Sequence, residues 1–197
     1  MPNSSMPTRL LLIRTLMMLS MATCKISGYN VCPSDGFFFD TNVWIHIFGP
    51  IASAHSQKQL EYTRLLREIR TVGATIWISS LVISEYVNAV LRIKFGQWKQ
   101  ANGYNNANFK RDFRITNDYL EALREAKTAI DEILLVSTRR PDDFHLLDVS
   151  SVLATMGNTH DYNDAVIIDD CRRHGMKLVS DDKDITLANL PFQVITS

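Results

Sequence analysis

The sequence is poor in cysteine, in net charge and in long hydrophobic runs. Only three of its 197 residues are cysteines, and Cys24, Cys32 and Cys171 have the spacing of neither a metal site nor a disulfide framework. So few cysteines are typical of a reducing compartment, and we expect a cytoplasmic protein. The 21 basic and 21 acidic residues balance. This balance excludes a global attraction for nucleic acid, so any such binding needs a local patch.

The first 34 residues differ in composition from the rest, because they contain basic residues and no acid. Their apolar stretch, residues 10–21, is interrupted by Arg14 and is shorter than the ~20 residues that a membrane span needs. We therefore predict no membrane attachment. We predict that residues 1–35 are a leader, either a disordered tail or the product of a translation start placed too far upstream. A signal or transit peptide is the alternative, and residues 36–197 form one domain.

Beyond residue 36, short apolar runs alternate with segments of helical periodicity. This alternation predicts a parallel sheet with helices on both faces. Such a sheet binds ligands at the carboxyl ends of its strands, near the switch in strand order. We expect a loop directly after the first strand. The predicted strands are residues 37–39, 74–78, 145–149, 176–180 and 192–196, and the predicted helices are residues 56–71, 81–94, 118–136 and 161–173.

Acidic residues lie where these strands end. Asp40 follows the first strand, Asp164 opens a helix, and Asp182 follows the strand at 176–180. Glu85 lies in an apolar helix, where an unpaired charge is costly. If the strands are neighbours, these carboxylates converge and repel one another. A bound Mg²⁺ or Mn²⁺ would remove the repulsion, and such a site is typical of phosphate-ester chemistry.

Each acid also has a purely structural interpretation. Asp161 is a natural helix N-cap, with Asp164 three residues later in the first turn. Asp182 and Asp184 suit a turn. Glu85 has the helical spacing to pair with Arg92, seven residues later. The order and placement of the acids together, rather than any single one, favour the metal site.

Four motifs in this order make the chain resemble the PIN-domain ribonucleases, specifically the VapC-type toxins of type II toxin–antitoxin systems. An acid ends the first strand, a Ser-rich turn leads into a helix that carries a second acid, and a third acid opens a later helix. The fourth acid lies in a strand-end segment rich in aspartate. The motifs are FDTNV at 39–43, ISSLVISE at 78–85, NDAVI at 163–167 and VSDDKDI at 179–185.

The resemblance implies a Rossmann-like three-layer α/β/α sandwich with a mainly parallel central sheet. It also implies an endoribonuclease that depends on Mg²⁺, or on Mn²⁺ as a substitute, a cognate antitoxin as partner, and a homodimer. Carried over motif by motif, the catalytic and metal-holding residues are Asp40, Glu85, Asp164 and Asp182. The residues that would orient these ligands or the scissile phosphate are Thr41, Asn42, Asp161, Ser180 and Asp184.

Basic residues interleaved with aromatic ones follow the second motif and are candidate contacts for RNA. The aromatic residues could equally be buried against the sheet or against an antitoxin. A non-catalytic PIN-like module that binds RNA or protein is the remaining alternative for the whole chain. A haloacid-dehalogenase-type phosphatase would need a second acid where Asn42 stands, and a receiver module would use Asp148. The candidate RNA contacts are Arg92, Lys94, Lys99, Lys110, Arg111 and Arg114.

Overall fold

The structure is a computed structural model that describes residues 23–50, 56–156 and 160–197. Its strands are β1 (Cys24–Lys25), β2 (Gly36–Phe39), β3 (Thr75–Ile78), β4 (Thr138–Arg139), β5 (Lys177–Val179) and β6 (Val194–Thr196). Its helices are α1 (Thr41–Phe48), α2 (Gln57–Val72), α3 (Ser80–Asn102), α4 (Asn117–Val136), α5 (Val149–Thr155), α6 (Tyr162–His174) and α7 (Lys183–Leu187). Short turns of 3₁₀ type (Ile26–Gly28 and Phe144–Leu146) and of π type (Phe109–Phe113) connect them.

The strands form one parallel sheet in the order β1-β6-β5-β2-β3-β4. From β2 the chain extends the sheet through β3 and β4 on one side, and later through β5 and β6 on the other. The order therefore switches between β2 and β5, where Phe38 lies opposite Leu178. The predicted three-layer α/β/α fold with a parallel sheet is confirmed, and the switch point identifies the edge at which a ligand is expected.

Buried apolar side chains explain the central strand and the helices that cover it. Phe37, Phe38 and Phe39 of β2 are all buried, as expected for a strand with helices on both faces. The amphipathic helix α2 buries its apolar stripe against the sheet, and Gly73 ends it in a left-handed conformation with φ 76°. Within the described residues, no helix is both long enough and apolar enough to cross a bilayer.

Part of the segment predicted as a leader lies in the sheet. β1 pairs in parallel with β6, and Ile26 is buried in the main core. The ring of Tyr29 contacts Phe37 edge-on, with centroids 6.0 Å apart. The ordered domain therefore reaches back beyond residue 36. The leader prediction for residues 1–22 falls outside the described residues.

Two local predictions are wrong. Residues 145–149 do not form a strand. They lie in the 3₁₀ turn and at the start of α5, which the Asp148 side chain caps by accepting a hydrogen bond from the Ser151 amide at 3.0 Å. Asp40 is not followed by a loop, because α1 begins at Thr41, capped by the Asp40 carboxylate.

Candidate metal centre

Asp40 lies at the switch point of the sheet, directly after β2, and only 6% of its surface is exposed. Its Oδ1 accepts a hydrogen bond from the Thr41 amide at 2.6 Å. Its Oδ2 accepts two more, from Ser180 Oγ at 2.7 Å and from Asn42 Nδ2 at 2.7 Å. Ser180 follows β5, so the neighbouring strands bring these side chains together as parallel pairing requires.

Burial raises the pKa of Asp40 to about 6. The hydrogen bonds from Ser180 and the Thr41 amide oppose this rise, while the nearby charges of Asp164 and Glu85 add to it. Within residues 23–50, 56–156 and 160–197, no lysine, arginine or histidine forms an ion pair with these three acids or with Asp182. The site is therefore a group of negative charges, one of them buried, that has no counter-ion in the described part of the chain.

This electrostatic cost leads to a prediction for the metal-free protein. Between the unfolded pKa of about 3.9 and the folded pKa of about 6, the native state binds more protons than the unfolded state, so stability falls as pH rises through this window. Asp40→Asn is therefore expected to raise the melting temperature in EDTA by a few degrees at about pH 7.5, equivalent to roughly 1–2 kcal/mol. The gain should vanish at about pH 4. A lower melting temperature for the variant at about pH 7.5 would show that the hydrogen bonds to the carboxylate outweigh its burial.

Glu85 reaches the site from α3, whose first turn is capped by Ser79. Its Oε2 accepts a hydrogen bond from Thr41 Oγ1 at 2.7 Å, and its Oε1 accepts one from Asn163 Nδ2 at 2.5 Å. The carboxylate is thus held between α1 and α6. The alternative pairing with Arg92 is not formed, because that guanidinium lies 4.5 Å from the ring centroid of Phe109.

Asp164 and Asp161 form a reciprocal capping box at the start of α6. Asp161 Oδ1 accepts from the Asp164 amide at 3.0 Å, and Asp164 Oδ2 accepts from the Asp161 amide at 3.2 Å. The structural interpretation of Asp161 as an N-cap therefore holds. Burial raises the pKa of Asp164, and the charges of Asp161, Asp182 and Glu85 raise it further. Asp164 therefore belongs electrostatically to the same acidic group.

Asp182 completes the group as the N-cap of α7. Its Oδ1 accepts from the Asp184 amide at 2.7 Å, and its own amide donates to Ser180 Oγ at 3.0 Å. Asp184 thus contacts Asp182 through the Asp184 backbone amide and not through the Asp184 carboxylate. Because the fully buried Ser180 hydroxyl contacts both Asp40 and the Asp182 backbone, it fixes the position of one relative to the other.

Sequence reasoning missed Asp181 as part of the support of the site. Its carboxylate contacts Lys58 Nζ at 2.6 Å and His46 Nε2 at 3.1 Å. Burial raises its pKa, but these two hydrogen bonds outweigh burial and hold the pKa below its usual range. Its amide donates to Asn42 Oδ1 at 3.1 Å, which orients the Asn42 amide group towards Asp40. The partners come from α1 and α2, more than a hundred residues away, so no local sequence signal marks them.

A second acidic cluster has a different character. Among the described residues, one set of three potential metal ligands has its ligand atoms within 4.8 Å of one another, namely Asp143, Asp170 and His174. Arg140 Nη2 lies 3.2 Å from both of these aspartates, and Arg173 pairs with them as well. The arginines already balance this charge, so the cluster forms an ion-pair network and does not require a cation.

The candidate RNA contacts lie around a small second core between α3 and α4. Phe113 and Leu91 are buried in this core, and the partly exposed rings of Phe95, Trp98 and Phe109 pack against them. These aromatic residues therefore belong to a core separate from that of the sheet, and burial against an antitoxin stays untested. Binding of RNA by the six basic residues stays a prediction. Arg92, Lys99 and Arg114 lie over aromatic rings, Lys94 and Arg111 pair with Glu125 and Asp112, and Lys110 lies in the π turn.

The chemistry of the donor set fits a hard divalent cation, because carboxylate oxygens are the preferred ligands of Mg²⁺ and Mn²⁺. Burial and the charges of neighbouring acids raise the pKa of Asp40 and of Asp164, and neither has an ion-pair partner among the described residues. No three of the four acids have ligand atoms within 4.8 Å of one another in the described part of the chain. Asp40, Glu85, Asp164 and Asp182 come from the ends of β2 and β5 and from the starts of α3 and α6, at one edge of the sheet. A cation bound there would offset the electrostatic cost of burial.

Comparisons with known proteins identify the family of the chain. A sequence model described as PIN domain matches residues 37–192. VapBC2 from Rickettsia felis, solved bound to a DNA fragment from its promoter, is 14% identical over 82% of this chain and 98% of that chain, with a TM-score of 0.49. PAE2754 from Pyrobaculum aerophilum is 16% identical over 82% of this chain and 91% of that chain, with a TM-score of 0.45. Structural likenesses of this strength carry no argument on function. No curated protein sequence matches the chain.

Proposed function

The chain belongs to the PIN-domain family, and we propose that it is a metal-dependent endoribonuclease that hydrolyses RNA phosphodiester bonds. The observation that carries the proposal is the buried carboxylate of Asp40, which lies beside further acids and without an ion-pair partner among the described residues. A non-catalytic binding module would have no need to maintain this costly group of charges at the ligand-binding edge of the sheet.

Asp40, Glu85, Asp164 and Asp182 would hold Mg²⁺, or Mn²⁺ in its place. When bound, such an ion lowers the pKa of water and stabilises negative charge on a phosphoryl group. The chain's own contribution is to hold the carboxylates in place. Ser180 and Asn42 fix Asp40, and Thr41 and Asn163 fix Glu85.

The test is cleavage of a mixed pool of tRNA and rRNA by the purified full chain, with Mn²⁺, with Mg²⁺ and with EDTA. We expect fragments only in the presence of a divalent cation. Binding of RNA without cleavage under any of these conditions would contradict the proposal and favour the non-catalytic PIN-like module.

The role assigned to Thr41 makes a second prediction. Thr41→Val keeps the shape of the side chain but removes the hydroxyl that donates to Glu85 Oε2. We expect cleavage to fall roughly 10–100-fold, as is typical when a residue that orients a metal ligand is lost. Thr71→Val is the matched control, because the Thr71 hydroxyl bonds only within α2, to the Arg67 carbonyl. Equal rates for the two variants would remove Thr41 from the site.

We also propose that the chain acts in the cytoplasm as the toxin of a type II toxin–antitoxin pair, inhibited by a cognate antitoxin protein, and that it forms a homodimer. This rests on the resemblance of the four motifs to VapC-type toxins. The free thiols of Cys24, Cys32 and Cys171 are compatible with a reducing compartment. Expression that arrests growth, relieved by a product of a neighbouring reading frame, would support the pairing. Light scattering of the purified chain reports its oligomeric state.

A further inference from the structure

A cavity of about 400 Å³ lies beside the proposed metal centre. The beginning of α3, the chain after β4 and one face of α6 line it. Two of its lining residues, Ser84 and Tyr162, directly precede Glu85 and Asn163 in sequence, and Asn163 donates to Glu85. The cavity and the acidic group therefore share the same two helices.

The lining combines an apolar floor with an exposed aromatic ring. Phe38, Leu81 and Ile167 supply apolar surface. Phe144 contributes from the 3₁₀ turn, and 67% of its surface is exposed. An exposed phenylalanine at a concave surface offers a flat face on which a planar ring can stack.

Asp142 supplies a hydrogen-bond acceptor to the same cavity. Its Oδ2 accepts from Ser80 Oγ at 2.5 Å, and no described residue donates to its Oδ1. A carboxylate with an uncommitted oxygen favours a ligand that carries N–H donors. It disfavours a phosphate group, because like charges repel.

The basic residue in the lining does not reverse this preference. Arg173 Nε donates to Asp169 Oδ2 at 2.7 Å, and the Arg173 guanidinium also pairs with Asp143 and Asp170. Its charge is therefore already balanced within the protein. The cavity thus fits a neutral, planar group with N–H donors at its edge.

We propose that this cavity binds one unpaired nucleobase of the RNA substrate, adjacent to the scissile phosphate, with the base stacked on Phe144 and its N–H edge facing Asp142. The inference rests on the proposed ribonuclease function and adds a base-recognition subsite to it. Single-stranded RNA is commonly recognised by bases splayed out onto aromatic side chains and hydrogen-bonded along their edges. A cavity of this volume is large enough for one base.

The experiment is a cycle that combines a protein variant with a modified substrate. One RNA oligonucleotide that the enzyme cleaves is prepared intact and with an abasic residue at each position flanking the cut. The abasic residue at one of these positions is expected to lower kcat/KM about tenfold or more, in the range found when base stacking is lost. Phe144→Ala should cause a similar loss on the intact oligonucleotide and no further loss on the abasic one. Leu146→Ala is the matched control, because Leu146 is 61% exposed on the same turn but does not line the cavity.

The same oligonucleotides are also bound to Asp40→Asn protein and followed by fluorescence anisotropy, so the inference does not depend on cleavage. Loss of affinity from Phe144→Ala that is absent with the abasic RNA supports the subsite even if the chain cuts nothing. If the effects of Phe144→Ala and of the abasic residue multiply, in cleavage and in binding, the side chain and the base act independently. That result would overturn the inference. Phe144→Ala could also leave cleavage and RNA binding unchanged but weaken inhibition by a cognate antitoxin. That result would overturn the inference and indicate that a side chain of the antitoxin occupies the cavity.

Discussion

Replacing Asp40 with asparagine is expected to lower the rate of RNA cleavage by about 10³-fold or more, because under the proposed function the variant would lose a charged ligand of the metal ion. The fold should persist. Asparagine has nearly the same shape and still accepts the hydrogen bond from the Thr41 amide that caps α1. Cleavage rates at saturating Mn²⁺, together with circular dichroism of both proteins, measure the effect.

The control for this variant is Asp148→Asn, which makes the same chemical change at another helix N-cap. Asp148 caps α5, and asparagine caps helices as well as aspartate does. The control should cleave RNA at the wild-type rate. A large loss in the control and a small one at Asp40 would contradict the assignment of the site and would direct attention to Asp148, the residue that a receiver module would use.

Replacing Phe113 with alanine is expected to lower the free energy of unfolding by about 3–5 kcal/mol. Phe113 is fully buried in the second core between α3 and α4, with ring centroids of Phe95 and Trp98 at 5.4 Å and 5.3 Å. The substitution leaves a large cavity in a cluster that has few other buried residues. Urea unfolding monitored by circular dichroism measures the change.

Phe144→Ala provides the comparison for Phe113, because it removes the same side chain from an exposed position. A substitution at such a surface position usually changes stability by no more than about 0.5 kcal/mol. Similar losses for the two variants would show that the aromatic residues around Phe113 do not form the packed core described here. A loss confined to Phe113→Ala would confirm that Phe113 stabilises the second core between α3 and α4.

The architecture was predictable because it depends on patterns that short sequence segments carry. The run FFF followed by Asp40 marks a strand buried on both faces, and alternation of such runs with amphipathic helices requires parallel pairing. Parallel pairing then brings the ends of β2 and β5 to one edge, which accounts for the meeting of Asp40 and Ser180. The prediction of one acidic site at that edge needed no knowledge of side-chain contacts.

The predictions that failed concern two helix caps and one short strand that depends on a distant partner. The composition of HLLDV favours a strand, but the Asp148 side chain caps a helix instead and Leu146 is 61% exposed. β1 has only two residues, too few to show a strand period, and it exists through its pairing with β6. The capping role of Asp40 was also missed. The same carboxylate caps α1 and lies near the charges of Asp164 and Glu85.

Under the proposed function, Asp40 would represent a compromise between stability and function. Its burial next to Asp164 and Glu85 costs free energy in the metal-free protein, as its raised pKa indicates. The hydrogen bonds from Ser180 and Asn42 recover part of that cost and hold the carboxylate in one orientation. Such strain at a functional site is common, since a group tuned for binding an ion is seldom optimal without it.

Direct titration of the full chain with Mn²⁺, followed by calorimetry, tests the central claim most directly, because variants of the two acidic clusters show which of them binds the ion. We expect binding by the wild-type protein, loss of that binding in Asp40→Asn, and unchanged binding in His174→Ala, which removes a potential ligand from the cluster that Arg140 and Arg173 already balance. Binding that survives Asp40→Asn but disappears in His174→Ala would contradict the account and would place the ion at the Asp143–Asp170 cluster.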